Sequence, residues 1–138
     1  MYRSLEMNTS PAPEVSSIGP DVTTWLRLEG LTGFVAGIVL FGQLGGAWLL
    51  FVPAVLLVDG SMAGYLRNPR LGAFTYNLAH QWATGLLVLG CGLLGGVPLL
   101  ALAGAVLIAH VGMDRLAGYG LKLPTDFHDT HLGHIGRR

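Results

Sequence analysis

The sequence predicts an all-α integral membrane protein, a four-helix bundle with short extracytoplasmic turns and a polar C-terminal tail. Three observations carry that prediction. Hydrophobic residues make up 51% of the 138-residue chain and charged residues only 12%, against roughly 25% charged in a soluble domain; the mean hydropathy is +0.55. Leu86 to Ala109 contains no charged residue, whereas a helix of a soluble bundle keeps a polar face. Finally, when the apolar segments are threaded alternately across a bilayer, all eight basic and all eight acidic side chains fall on one side.

The elements follow in order. Residues 1–20 mix Ser, Pro, Glu and Asn without apolar periodicity and read as a disordered tail, with no basic start and apolar stretch of a secretory signal. A first span over about 25–42 is expected to begin after Asp21, Thr23 or Thr24, all good N-caps. The Gly-Gln-Leu-Gly-Gly turn at 42–46 leads to a second span over about 47–66. A polar loop at Arg67 to Arg70 precedes a third span over about 71–94. The Gly-Gly-Val-Pro turn at 95–98 opens the fourth, about 98–116, with Pro98 in its first turn. Residues 21–121 thus form the membrane domain. Residues 122–138 form a polar, His-rich cytoplasmic tail expected to fold back on the bundle.

Orientation comes from the basic residues. Arg3, Arg27, Arg67, Arg70, Arg115, Lys122, Arg137 and Arg138 share the side of both termini, and cytoplasmic loops carry the Lys/Arg excess. Both termini are therefore expected in the cytoplasm. A net charge of zero argues against nucleic acid as a partner. The lone Cys91 excludes a disulfide framework and, inside an apolar run, reads as a small buried hydrophobe.

Glycine, at 21 residues, is about twice as frequent as the usual 7%. Gly33/Gly37, Gly60/Gly64 and Gly92/Gly96 are each spaced by four, as are Ala101, Ala105 and Ala109. In lipid this spacing lets helix backbones approach closely. It serves either tight packing inside the bundle or faces that bind a second copy or a partner membrane subunit.

Each span also brings an ionisable group into its cytoplasmic half. Glu29 lies in the first turns of span one, and Asp59 near the end of span two behind Leu56, Leu57 and Val58. Tyr76 and His80 are spaced i, i+4 on span three, with Asn77 at i, i+3 from His80; His110 and Asp114 are i, i+4 on span four, on one helix face. Ionisable groups at membrane depth usually face the bundle interior and are functional candidates by default. Asp59, His110 and Asp114 are therefore candidate catalytic residues. His80, His110, Asp114 and, from the tail, His131 are candidate ligands of a divalent metal, because imidazole and carboxylate suit such ions. Tyr65, Arg70, Tyr76, Asn77, Arg115, Tyr119 and Lys122 are candidate substrate-binding residues, the cations for an anionic group.

Bland readings stand beside these. Glu29 pairs with Arg27 or Arg115, Asp59 forms a structural salt bridge, and His80 is a hydrogen-bonded core residue. The run Asp126, His128, Asp129, His131 and His134 is then a solvated tail, and no His-Glu-x-x-His pattern occurs anywhere.

A resemblance appears at these same residues. The segments Leu26-Arg27-Leu28-Glu29-Gly30, Gly64-Tyr65, Asn68-Pro69-Arg70-Leu71-Gly72-Ala73, Tyr76-Asn77-Leu78-Ala79-His80 and His110-Val111-Gly112-Met113-Asp114-Arg115 carry it. Gly118-Tyr119-Gly120-Leu121-Lys122 and Asp129-Thr130-His131-Leu132-Gly133 continue it. Over about residues 26–136 the chain resembles the bacterial membrane family filed as domain-of-unknown-function family 4260. That resemblance implies a small four-span protein of a bacterial inner membrane with its polar motifs at one face, and brings no established activity. The His-x-x-x-Asp pairing is also similar to one in membrane-bound metal-dependent hydrolases. Three functions are consistent with these readings: a divalent-metal membrane hydrolase, a non-catalytic scaffold subunit, or a haem b protein with His80 and His110 as axial ligands.

Overall fold

The structure, a computed structural model, describes residues 20–136; the tail expected over 1–20 otherwise lies outside them. The chain is all-α apart from a small hairpin. Its helices are α1 (Pro20–Gln43), α2 (Trp48–Leu57), a 3-10 helix (Val58–Leu66), α3 (Pro69–Ala79), α4 (Trp82–Leu94) and α5 (Pro98–Ala117). The antiparallel strands β1 (Asp129–Thr130) and β2 (Gly133–His134) follow, pairing Asp129 with His134.

Three stretches are long and apolar enough to cross a membrane: Val22–Gln43, Trp48–Leu66 and Pro98–Ala117; Trp82–Leu94 is apolar but shorter. Their outward surfaces are apolar, with Leu49, Leu94 and Leu99 largely exposed. In water such a surface would drive association; in a bilayer it is the solvated surface, and the chain is a membrane protein.

Helix α5 is the axis. Helices α1 and α4 pack along it, and α2 touches it more sparsely. Ala105, Ala109 and Val111 of α5 are fully buried. The contacts are backbone to backbone. A Cβ added at Gly112 would meet the backbone of Phe34 and Gly30, one at Gly37 would meet Ala109, and one at Gly104 would meet Leu89. Of the glycines spaced by four, Gly33, Gly37, Gly64 and Gly92 meet atoms of the chain itself, whereas nothing lies within 4 Å of a Cβ added at Gly60 or Gly96. Cys91 corrects the expectation of burial: it is exposed, on a helix whose apolar side faces outward.

The predicted spans two and three are not single α-helices. Span two turns into a 3-10 helix at Val58, and Thr75 Oγ donates to the carbonyl of Ser61 at 2.7 Å, tying that helix to α3. Span three breaks at His80 (φ −105°, ψ 30°) and Gln81 (φ −121°, ψ 148°). Non-helical backbone at membrane depth is stable only where its polar groups find partners inside the protein. They do: Thr84 Oγ donates to Leu78 O at 2.6 Å and Arg115 Nη2 to His80 O at 3.0 Å. Freed from α4, α3 packs on the 3-10 helix instead.

Local signals explain the ends. Helix α1 already begins at Pro20, earlier than the N-cap candidates Asp21, Thr23 and Thr24 imply; proline is well suited to the first turn. Asn68 caps α3 by accepting from Leu71 N–H at 2.9 Å, with Pro69 next. Gly118 (φ 92°) closes α5, with Tyr119 N–H bonded to Asp114 O and Gly118 N–H to Arg115 O, a Schellman motif.

Candidate metal centre

The breaks in spans two and three bring the ionisable side chains together at one end of α5. His110 projects from α5 and His80 from the C-terminus of α3, both fully buried, with their Nε2 atoms 2.9 Å apart. Asp59, in the first turn of the 3-10 helix, places Oδ1 3.4 Å from His80 Nε2 and 3.5 Å from His110 Nε2. Asp114, one turn beyond His110, places Oδ2 3.8 Å from both nitrogens.

The other ring nitrogens decide what these atoms are. His110 Nδ1 lies 2.8 Å from the carbonyl of Val55, and His80 Nδ1 lies 2.8 Å from the carbonyl of Tyr76. A carbonyl can only accept, so each Nδ1 carries the proton. In the neutral imidazoles both Nε2 atoms then present lone pairs to each other at contact distance, with two carboxylates beside them. That arrangement is repulsive unless a positive charge sits there: a proton on one ring, or a cation held by both.

The donor set fits a divalent ion. Two nitrogens bound at about 2.1 Å to one ion and at right angles to each other stand about 3 Å apart. Asp59, His80 and His110 each offer a ligand atom within 4.8 Å of the others, the two-histidine, one-carboxylate set of an ion with open positions. Nδ1–H donation to a backbone carbonyl is the usual outer support of a metal-bound histidine.

A second layer orients the first. Tyr76 OH donates to Asp114 Oδ2 at 2.8 Å, and the Tyr76 ring stacks on His80 at a centroid distance of 3.7 Å. Ser61 Oγ lies 3.5 Å from His80 Nδ1. Asn77 clamps the chain beyond α5 in both directions: its Nδ2 donates to Lys122 O at 2.9 Å and its Oδ1 accepts from Lys122 N–H at 2.7 Å. Lys122 is buried, and its Nζ donates to Phe127 O at 2.6 Å and lies over the Phe127 ring. That burial pushes its ammonium pKa down from the ordinary range.

Several expected residues sit elsewhere or act otherwise. His131 is outside the cluster. It is exposed, and its Nδ1 accepts from Leu121 N–H at 2.8 Å, so it pins the hairpin to the segment after α5. Arg115 spends its guanidinium on the carbonyls of His80 and Tyr119, and so supports the break in span three. Tyr119 is partly exposed beside Arg27 in a cavity of about 710 Å³ under the hairpin, and Glu29 lines a smaller one with Gln81 and Trp82. Arg70 is exposed in the first turn of α3. Tyr65 packs its ring on Gly72 and Phe127, its buried hydroxyl without a partner among the described residues. The haem reading fails on geometry: His80 and His110 meet edge to face with centroids 4.6 Å apart, leaving no slot for a porphyrin between them.

Sequence reasoning passed over Thr84, Ser61, Thr75 and the Val55 carbonyl. A threonine just beyond a helix break is a readable signal, but only once the break is known. A carbonyl acceptor leaves no trace in a side-chain pattern.

A family model described as "Domain of unknown function (DUF4260)" matches residues 23–135. No curated protein and no solved structure matches the chain.

Proposed function

The chain belongs to the DUF4260 family, and from that premise we propose that it is a membrane-embedded metalloprotein whose centre binds one divalent transition ion through His80, His110 and Asp59. One observation carries this reading: two buried imidazoles, each held by a carbonyl at Nδ1, aim their Nε2 lone pairs at one point, 2.9 Å apart. Such an ion, held there, would supply a Lewis acid able to polarise a substrate oxygen and to lower the pKa of a bound water. Asp114, fixed by Tyr76 and 3.8 Å from both imidazoles, is the carboxylate suited to take up a proton there. The reaction class we favour is hydrolysis of a membrane substrate. Arg27, Arg67, Arg70, Arg115 and Lys122 support an orientation with this end in the cytoplasm of a bacterial inner membrane, because the turns at 44–47 and 95–97 carry no charge.

Metal analysis of the protein purified in mild detergent tests the centre. A stoichiometric divalent ion is expected in the wild type, absent from His110→Ala and strongly reduced in Asp59→Asn. A wild type that holds no ion and binds none on titration with Zn²⁺, Mn²⁺ or Fe²⁺ overturns the reading. The close nitrogens would then share a proton.

A further inference from the structure

Because α2 touches α5 only sparsely, a lateral groove of about 600 Å³ opens between them. Every residue lining it is apolar or glycine, with the small Ala54 and Ala103 on its two walls. Its far end lies at Gly45 and Leu99, beside the uncharged turns; its inner end is formed by Leu57, Val58, Val106 and Leu107.

The inner end is one residue or one helical turn from the centre along the chain. Val58 immediately precedes Asp59, and Val106 is one turn before His110 on the same face of α5. Between Ala54 and Leu57, Val55 supplies the carbonyl that orients His110. His80 and His110 are sealed off, whereas the side chain of Asp59, next in the chain to Val58 at the groove's inner end, is 39% exposed.

Resting on the metal reading above, we propose that the groove holds an acyl chain and that the substrate is an acyl amphiphile whose oxygen-bearing head meets the ion beside Asp59. Length supports this occupant. From Leu99 to Leu107, α5 rises roughly 12 Å, comparable with the roughly 15 Å of hydrocarbon in one leaflet. Chemistry supports it too, since an all-apolar wall leaves polar recognition entirely to the centre at its end. The acyl chain is that of a membrane phospholipid, because the groove opens between helices long and apolar enough to span the bilayer.

Photo-crosslinking of the full chain in phosphatidylcholine nanodiscs tests the inference, with metal content measured in the same preparations. The probes are a fatty acid and a phosphatidylcholine, each carrying a diazirine either near the carboxyl group or at the chain terminus. Carboxyl-proximal probes are expected to label Leu57 and Val58, and terminal probes the segment from Gly45 to Leu50 and Leu99. The phosphatidylcholine probes are expected to label the groove; labelling by the fatty-acid probes alone overturns this occupant. Ala103→Trp, on the exposed rim, should cut groove labelling about tenfold, equivalent to ~1.4 kcal/mol, with metal content unchanged. Ala54→Trp repeats the test from the opposite wall. Labelling spread evenly over the outward leucines of α4, reversed polarity, labelling unaffected by both variants, or capture of a second copy of the chain at Ala103 overturns the inference. An ion-free wild type overturns the metal reading instead, whatever the groove binds.

Discussion

The two ends of α5 are built on opposite principles. Along most of its length, α1 and α4 meet it backbone against backbone, through Gly37 and Gly104. At its C-terminal end, the neighbours are a 3-10 helix, a broken span and a hairpin-bearing tail, and the main chain is satisfied by side chains. Thr84, Arg115, Asn77 and the two histidines each bond a carbonyl there. The regular end gains stability from shape. The irregular end spends side-chain hydrogen bonds to hold a cluster of ionisable groups that regular spans would keep apart. Prolonged 3-10 backbone within a span often marks such a functional place.

Substitutions that obey one principle and violate the other separate the two ends. The largest effect is expected at the regular end. Gly104→Leu forces side-chain atoms into the backbone of α4 at Leu89, with an expected loss of ~3 kcal/mol or more from overpacking. Thermal unfolding in detergent reads it as a large drop in midpoint or outright aggregation. Gly60→Ala is its control at the other end, since nothing lies within 4 Å of the added methyl; it should stay within about 0.5 kcal/mol of wild type. A Gly104→Leu protein with an unchanged midpoint would show that α4 and α5 do not depend on close approach.

Next in size is Tyr76→Phe, which removes the hydroxyl bonded to Asp114 and keeps the ring that stacks on His80. Loss of one outer-layer hydrogen bond typically lowers metal affinity about 10–100-fold. Competition with a chelator of known affinity measures this, and the unfolding midpoint should move little by comparison. An unchanged affinity would remove Asp114 from the proposed centre and leave Asp59 as its carboxylate.

The same contrast explains what could be read in advance. The regular end was legible: an uncharged run and small residues spaced by four mark α4 and α5 and the surfaces between them. His110 and Asp114 were legible as a pair because helical spacing alone puts them on one face. The break at His80 was not, because neither proline nor glycine occupies residues 79–82. Its carbonyls are satisfied partly by Arg115, on another helix. That arginine therefore looked like a substrate cation when its donors were already committed. In the same way an exposed His131 and a buried His80 are indistinguishable as letters; burial separates them. Cys91 shows the membrane version of the problem, since an apolar run predicts a lipid-facing position as readily as a core one.

A smaller effect is expected at the clamp between α3 and the segment after α5. Asn77→Ala leaves both the N–H and the carbonyl of Lys122 without their side-chain partner. Groups deprived of a partner in this way cost about 1–3 kcal/mol, felt locally in residues 118–134. Hydrogen exchange should accelerate there while the amides of α1 and α5 keep their protection. Exchange that accelerates equally along the whole chain would mean the two ends unfold as one unit.

The smallest effect separates the hairpin from both ends. Asp129 accepts from Thr125 Oγ at 2.7 Å and lies 2.8 Å from His134 Nδ1, and these two contacts hold its carboxyl below the ordinary pKa of 3.8. Asp126 is lowered in the same sense, by the main-chain N–H and the ring of His128. Groups whose folded pKa is depressed stabilise the structure above the unfolded value and lose that contribution as pH falls through the folded one. Acidification from neutral pH through the lowered pKa values of these two carboxyls should therefore loosen residues 125–135. Exposed charges contribute little, so the change should be confined to that segment. Faster exchange at Ile135, whose N–H bonds His128 O at 2.8 Å, is the expected sign, and it should be lost in an Asp129→Asn, Asp126→Asn variant. If the double variant responds to acid as the wild type does, carboxylate contacts are not what hold the hairpin. Its order would then come from His131 at Leu121 and from the Asn77 clamp beneath it, which makes the hairpin an extension of the irregular end of α5.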